Sequence, residues 1–167
     1  MTAVAFIESY FDAERAEALL FCSVGAVAMV IALLCWRQSP FLRGMAWPLL
    51  IVAAIQLTVG ITVYRRSPHD IARVMQIVQA EPARIGTEEI PRMTTVMRNF
   101  LYYRYFEIAL CLTGLALLAV TRGQWQGVGA GLLLQASLML GLDYFAEARG
   151  HTYLMALRAL AAPSVGQ

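Results

Sequence analysis

Along the chain, stretches without formal charge alternate with short polar breaks: 18–36, 44–64, 108–121 and 123–142 contain no Asp, Glu, Lys or Arg. An α-helix rises about 1.5 Å per residue, so about 20 residues cross a hydrocarbon core of roughly 30 Å. Three of the runs meet that length unaided. The third meets it only by starting near Leu101, which draws Arg104 and Glu107 into the bilayer or its border. The expected spans are therefore 17–36, 45–64, 101–121 and 124–143, within one domain covering 1–167. The fold class is all-α, an integral membrane antiparallel four-helix bundle with an amphipathic helical loop on the cytoplasmic side.

The breaks divide into two kinds. "RQSPFLRG" and "TRGQWQG" are tight turns, with Trp36, Trp47 and Trp125 near them, where interfacial aromatics belong. The 65–100 segment is long and has structure of its own. In "SPHDIARVMQIVQAEP", Ser67 is placed to cap a helix, Pro68 falls at its first position, and Asp70 stands where a capping box has its acid. Ile71, Val74, Met75 and Val78 follow at helical spacing, and Glu81 with Pro82 closes the run. This predicts a short amphipathic helix over 68–80. Its apolar face would rest on lipid headgroups or across the open end of the bundle, with Arg73, Gln76 and Gln79 outward. "GTEEIPRM" gives a second start, with Thr87 as cap and Pro91 in the first turn. A helix over 88–121 would be about 51 Å long. The first helix, over 4–36, and the last, running on through Phe145, would also extend past the membrane. The two hairpins begin alike, each with a polar prefix, which hints at a parallel two-fold repeat.

Composition and charge then fix the class and an orientation. The chain is 59% hydrophobic and 14% charged, where a soluble domain averages about a quarter charged. All 13 basic residues are Arg, and ten lie on the side that holds both termini and the long loop. Arg37, Arg43 and Arg122 are on the other. The positive-inside rule places both termini in the cytoplasm, and a bacterial inner membrane is the expected location. Glu8, Asp12, Glu14 and Glu17 precede the first run where a cleaved signal would carry basic residues, so the first helix is expected to be retained. Cys22, Cys35 and Cys111 fall within apolar runs and read as small buried hydrophobes.

Candidate chemistry gathers where the helices leave the membrane on the Arg-rich side. "DYFAEARGH" sets Asp143, Glu147 and His151 four apart, so that they cover about 80° of one helix. Glu107 lies 14 residues from Thr121, about 21 Å up its span and about 9 Å inside the near border. Ionisable groups at such depth usually face a protein interior or a wet cavity. Glu8, Asp12 and Arg15 on the first helix and Arg104 on the third share this mouth, and Gln56 and Gln135 continue a polar trail about 12 Å deep. Tyr102, Tyr103, Tyr105, Tyr144 and Tyr153 supply hydroxyls around it. The candidate binding residues are thus Glu107, Asp143, Arg104, Glu147, His151, Asp12, Gln135 and Gln56. Glu107, Asp143 and Glu147 are the candidate metal ligands, although Asp143 and His151 are about 12 Å apart on a straight helix and cannot share one ion. The bland alternative is local pairing: Arg104 with Glu107, Arg15 with Asp12, and Glu147 with His151.

Gly123, Gly127 and Gly131 repeat G-x-x-x-G in the fourth run, a pattern that lets helices approach closely. The contact is either internal or with a second copy or a membrane partner protein. No phosphate loop, C-x-x-C or H-E-x-x-H occurs, and no cofactor is named by any motif. The acids nearly balance the arginines, which argues against nucleic acid as a partner and leaves the lipid bilayer as the certain one. Small four-span glutathione-dependent enzymes share this size and helix count, but "LLIVAAIQLTVGITVY" lacks the Arg and Asn pattern expected in their second helix. The leading expectation is a non-enzymatic binding or accessory protein whose polar mouth recognises an ion, lipid or protein. The alternatives are a membrane-embedded enzyme, with or without a metal, using Glu107 and Asp143, and a cation or proton pathway along Glu107, Gln135 and Gln56.

Overall fold

A computed structural model of the chain describes residues 3–162, and these form four long helices and one short helical turn. They are α1 (Ala3–Cys35), α2 (Pro40–Ala80), a π-helical turn (Ile85–Glu89), α3 (Ile90–Val120) and α4 (Gln124–Ala161). All four helices are long and apolar enough to cross a membrane. The stretches 45–64 and 124–143 fall within α2 and α4, and 17–36 and 101–121 each run one residue past the end of α1 and α3. The helices overshoot the bilayer: 41 residues make α2, about 62 Å at the α-helical rise.

The helices pair as two antiparallel hairpins, α1 with α2 and α3 with α4, and the hairpins join through α2 and α4. Those two inner helices run the same way, since both start at the tight turns. Among the described residues the α1 backbone comes near that of α4 at few places, and the α3 backbone comes near neither α1 nor α2. The order across the bundle is therefore α1, α2, α4, α3. The two outer helices leave a gap between them.

Glycine makes the α2–α4–α3 contacts possible. A Cβ on Gly127 would fall 1.8 Å from the Phe41 carbonyl oxygen, and one on Gly131 would fall 2.6 Å from Pro48 Cγ. Gly129 packs on Gly114 of α3 in the same manner. The glycine face of α4 is thus filled from within the chain. Gly123 departs from the expectation, because nothing lies within 4 Å of where its Cβ would be. Its use is conformational: it caps α4 at a φ of 61°, which only glycine adopts readily.

The amphipathic segment is the main correction to the sequence reading. It is no separate helix lying on headgroups; residues 68–80 continue α2 without a break. Ser67 does not cap, its hydroxyl being buried without a hydrogen-bond partner, and Asp70 is held instead by Arg66 Nε at 2.8 Å. Pro68 inside a helix costs about 3 kcal/mol. Continuation buries Val74 and Ile77 completely, and each such side chain contributes about 1.5–3 kcal/mol. The apolar face therefore finds a better partner in the protein than in lipid. Beyond the membrane it packs with Ile7 and Phe11 of α1, Ile85 of the π-helical turn, Met93 of α3, and Tyr153, Leu154 and Leu157 of α4. Tyr10 stacks on Tyr153 with centroids 4.0 Å apart. Thr87, expected to start the third helix, is exposed within the π-helical turn, and the chain passes from that turn directly into α3.

This outer core encloses a charge. Glu89 is fully buried and accepts hydrogen bonds from Arg73 Nη2 at 2.7 Å, Arg92 Nη2 at 2.5 Å and Tyr153 Oη at 3.3 Å. Arg73, expected to face outward, is thereby turned inward. Burial pushes the Glu89 carboxyl up, but the two guanidinia more than offset this and hold it below the usual carboxylate range.

Candidate functional site

Each helix presents one stripe to a common space on the inner side of the outer core. On α1 the stripe is Glu14, Glu17, Ala18 and Phe21, at i, i+3, i+4 and i+7, and on α4 it is Leu132, Ala136, Met139, Asp143 and Ala146. Val52, Ile55, Val59 and Val63 supply α2, and Phe100, Tyr103, Glu107 and Leu110 supply α3. Successive members stand three or four residues apart, which keeps them on one side of a helix. Together they line a cavity of about 650 Å³. Its floor is α2 and α4 and its walls are α1 and α3. Because the α1 and α3 backbones stand apart, the cavity is a partly open cleft whose open side lies between those two helices.

The lining is apolar except for two tyrosines and four carboxyls, Glu14, Glu17, Glu107 and Asp143. Glu107 is 3% exposed, and neither of its oxygens has a hydrogen-bond partner. Asp143, from the facing turn of α4, is the carboxyl beside it. Glu17 is ion-paired with Arg149 of α4. Glu14 has Arg66 at 4.0 Å from Oε1, while its Oε2 is buried and unpartnered. The cleft therefore combines a hydrocarbon-like wall with acids that no basic side chain in its lining neutralises.

The structure separates the residues that the sequence grouped. Glu107 and Asp143 do share one space. Arg104 pairs with Glu147 of α4, replacing the pairings expected for it with Glu107 and for Glu147 with His151. That ion pair and an exposed His151 border a shallow separate depression with Tyr144 and Ala148. Asp12 is exposed and outside the cleft lining. Arg15 leaves it for Tyr64, donating to the hydroxyl at 3.3 Å with its guanidinium 4.9 Å above the ring. Gln56 and Gln135 are fully buried, with unpartnered amides, and neither lines the cleft. Of the tyrosines, Tyr102 and Tyr103 line it, Tyr153 belongs to the outer core, and Tyr105 and Tyr144 point outward.

Among the described residues, no three His, Cys, Asp or Glu side chains converge closely enough to hold a metal ion. Glu107, Asp143 and Glu147 are divided between the cleft and the outer ion pair. The residues missed in the sequence were Glu14, Glu17 and Glu89. For the first two a signal was present, since they sit on the same helical stripe as Ala18 and Phe21, where an inward face should be apolar. Compared with known proteins, the chain matches no family model, no curated protein and no solved structure.

Proposed function

We propose that this is a small binding protein of the membrane, one that takes a membrane-dissolved amphiphile into the cleft between α1 and α3, with its Arg-rich end in the cytoplasm. The observation that carries the reading is the cleft itself: about 650 Å³, open sideways toward lipid, with the unpartnered Glu107 carboxyl in an otherwise apolar wall. That volume lies within the range of about 300–1,000 Å³ usual for small-molecule sites, which pair apolar walls with a few placed polar groups. Binding is favoured by the lining, which is apolar on every helix and carries only a few polar groups.

Native mass spectrometry of protein extracted in a mild maltoside detergent tests this. Wild type should carry a lipid-sized adduct. The double variant Ile55→Trp/Val59→Trp, which fills the cleft from two partly exposed positions of α2, should lose it while still melting cooperatively. Absence of any adduct on wild type, or equal loading of both proteins, would contradict the reading.

A further inference from the structure

We infer that the molecule taken into this cleft is a hydrophobic cation: an apolar or aromatic body bearing a fixed or protonated positive charge. The inference rests on the binding reading above and adds the sign of the ligand's charge.

Four carboxyls line the cleft, and no Arg, Lys or His does. That imbalance is not for lack of arginine nearby. Within a few turns of the cleft lie four arginines: Arg15 turns to Tyr64 and Arg104 to Glu147, while Arg66, held by Asp70, and Arg149 reach Glu14 and Glu17 from outside the lining. Glu107 forms no ion pair among the described residues, although Arg104 is three residues away on the same helix, because Arg104 is drawn to Glu147. Two neighbouring carboxyls in an apolar wall resist ionising together unless a counter-charge joins them. A cationic ligand supplies that counter-charge, whereas an anion would add to the repulsion among Glu14, Glu107 and Asp143.

The remaining lining suits the same ligand. Phe21, Phe100, Tyr102, Tyr103 and Phe106 surround the space, and aromatic faces attract cations within about 6 Å through the ring quadrupole. The entry route also favours a body that partitions into lipid, because the cleft opens between α1 and α3. A small hydrated ion would gain little from the apolar stripes of α2 and α4. It would also find no third ligand beside Glu107 and Asp143.

Two ions of nearly equal size and opposite charge, tetraphenylphosphonium and tetraphenylborate, separate charge from shape, with tetraphenylsilane as the neutral member. Equilibrium dialysis against purified protein in neutral maltoside micelles, corrected by protein-free micelles, reads their binding. Tetraphenylphosphonium should bind at least tenfold more tightly than the neutral and anionic probes. Glu107→Gln and, separately, Asp143→Asn should each weaken it severalfold, whereas Glu88→Gln, in an exposed pair with Arg84 outside the cleft, should not. If either cleft variant fails to fold, the three-probe comparison on wild type still decides. Equal binding of the three probes, no binding of tetraphenylphosphonium, or retention of its binding in both folded cleft variants would overturn the cation assignment. A lipid-sized adduct in the native mass spectrum under those outcomes would leave the binding cleft standing with a different occupant. Loss of the adduct, or its persistence in the tryptophan-filled variant, would strike the cleft reading itself.

Discussion

Replacing Glu89 by glutamine tests whether the four helix ends outside the membrane form a core held by a buried charge. The carboxylate is fully buried and bonded to Arg73, Arg92 and Tyr153. An amide of the same shape leaves two guanidinia facing a neutral group. Breaking a buried ion group by removing one partner costs about 3–5 kcal/mol. The side chains of Arg73 and Arg92 are 30% and 28% exposed, so water can partly replace the lost partner, and the lower end, about 3 kcal/mol, is expected. For a chain of this length each kcal/mol moves the melting temperature by about 2–4 °C, giving a fall of roughly 6–12 °C. Circular dichroism in neutral detergent follows it, since the tryptophans lie at the opposite end. Faster amide exchange over 71–93 should accompany the loss.

The same residue fixes a pH signature. Its folded pKa is lowered from the ordinary 4.5. The stabilisation is therefore complete above about 4.5 and disappears as pH falls through the lower folded value. Wild type should lose stability in that acid range, and Glu89→Gln should lack this component. A melting temperature within about 2 °C of wild type, or an equal fall for the exposed Glu88→Gln, would show that Glu89 does not hold the outer core.

Two further outcomes test the packing and the orientation. Gly127→Ala should melt well below wild type, because its Cβ would fall 1.8 Å from the Phe41 carbonyl oxygen, whereas Gly141→Ala, with nothing within 4 Å, should gain about 0.5–1 kcal/mol from helix propensity; the reverse order in a melting assay would refute the α2–α4 contact. A reporter active only in the cytoplasm should work when fused after Gln167 or inserted near Pro82 and fail after Gln38, and the opposite pattern would invert the topology.

Much of the candidate site was legible one residue at a time but not as a set. The depth of Glu107 follows from counting residues, and Asp143 from its place at the end of an uncharged run. Which arginine meets which acid did not follow. Local spacing favours Arg104 with Glu107, yet Arg104 reaches Glu147 on the next helix, 43 residues away, and Arg149 reaches Glu17 across 132. Pairing of this kind depends on the rotation of each helix about its axis, set by glycine contacts that involve every neighbour. Glu14 and Glu17 illustrate the same limit, since they read as a polar prefix until α1 is seen to turn them toward the cleft.

The sequence by itself determined four helices long and apolar enough to cross a membrane and the two tight turns between them, because length and hydropathy are properties of one segment and need no partner. It also determined that Gly127 and Gly131 must meet another helix closely. Only the tertiary structure decided that the helix was α2, that residues 68–80 extend α2 rather than lie on the membrane, and that α1 and α3 stand apart around an acidic cleft. Each of those outcomes is a competition. Pro68 breaks a helix locally, but burying Val74 and Ile77 against Ile7, Phe11 and Tyr153 outweighs that cost, and the burial exists only once segments from both ends of the chain have come together.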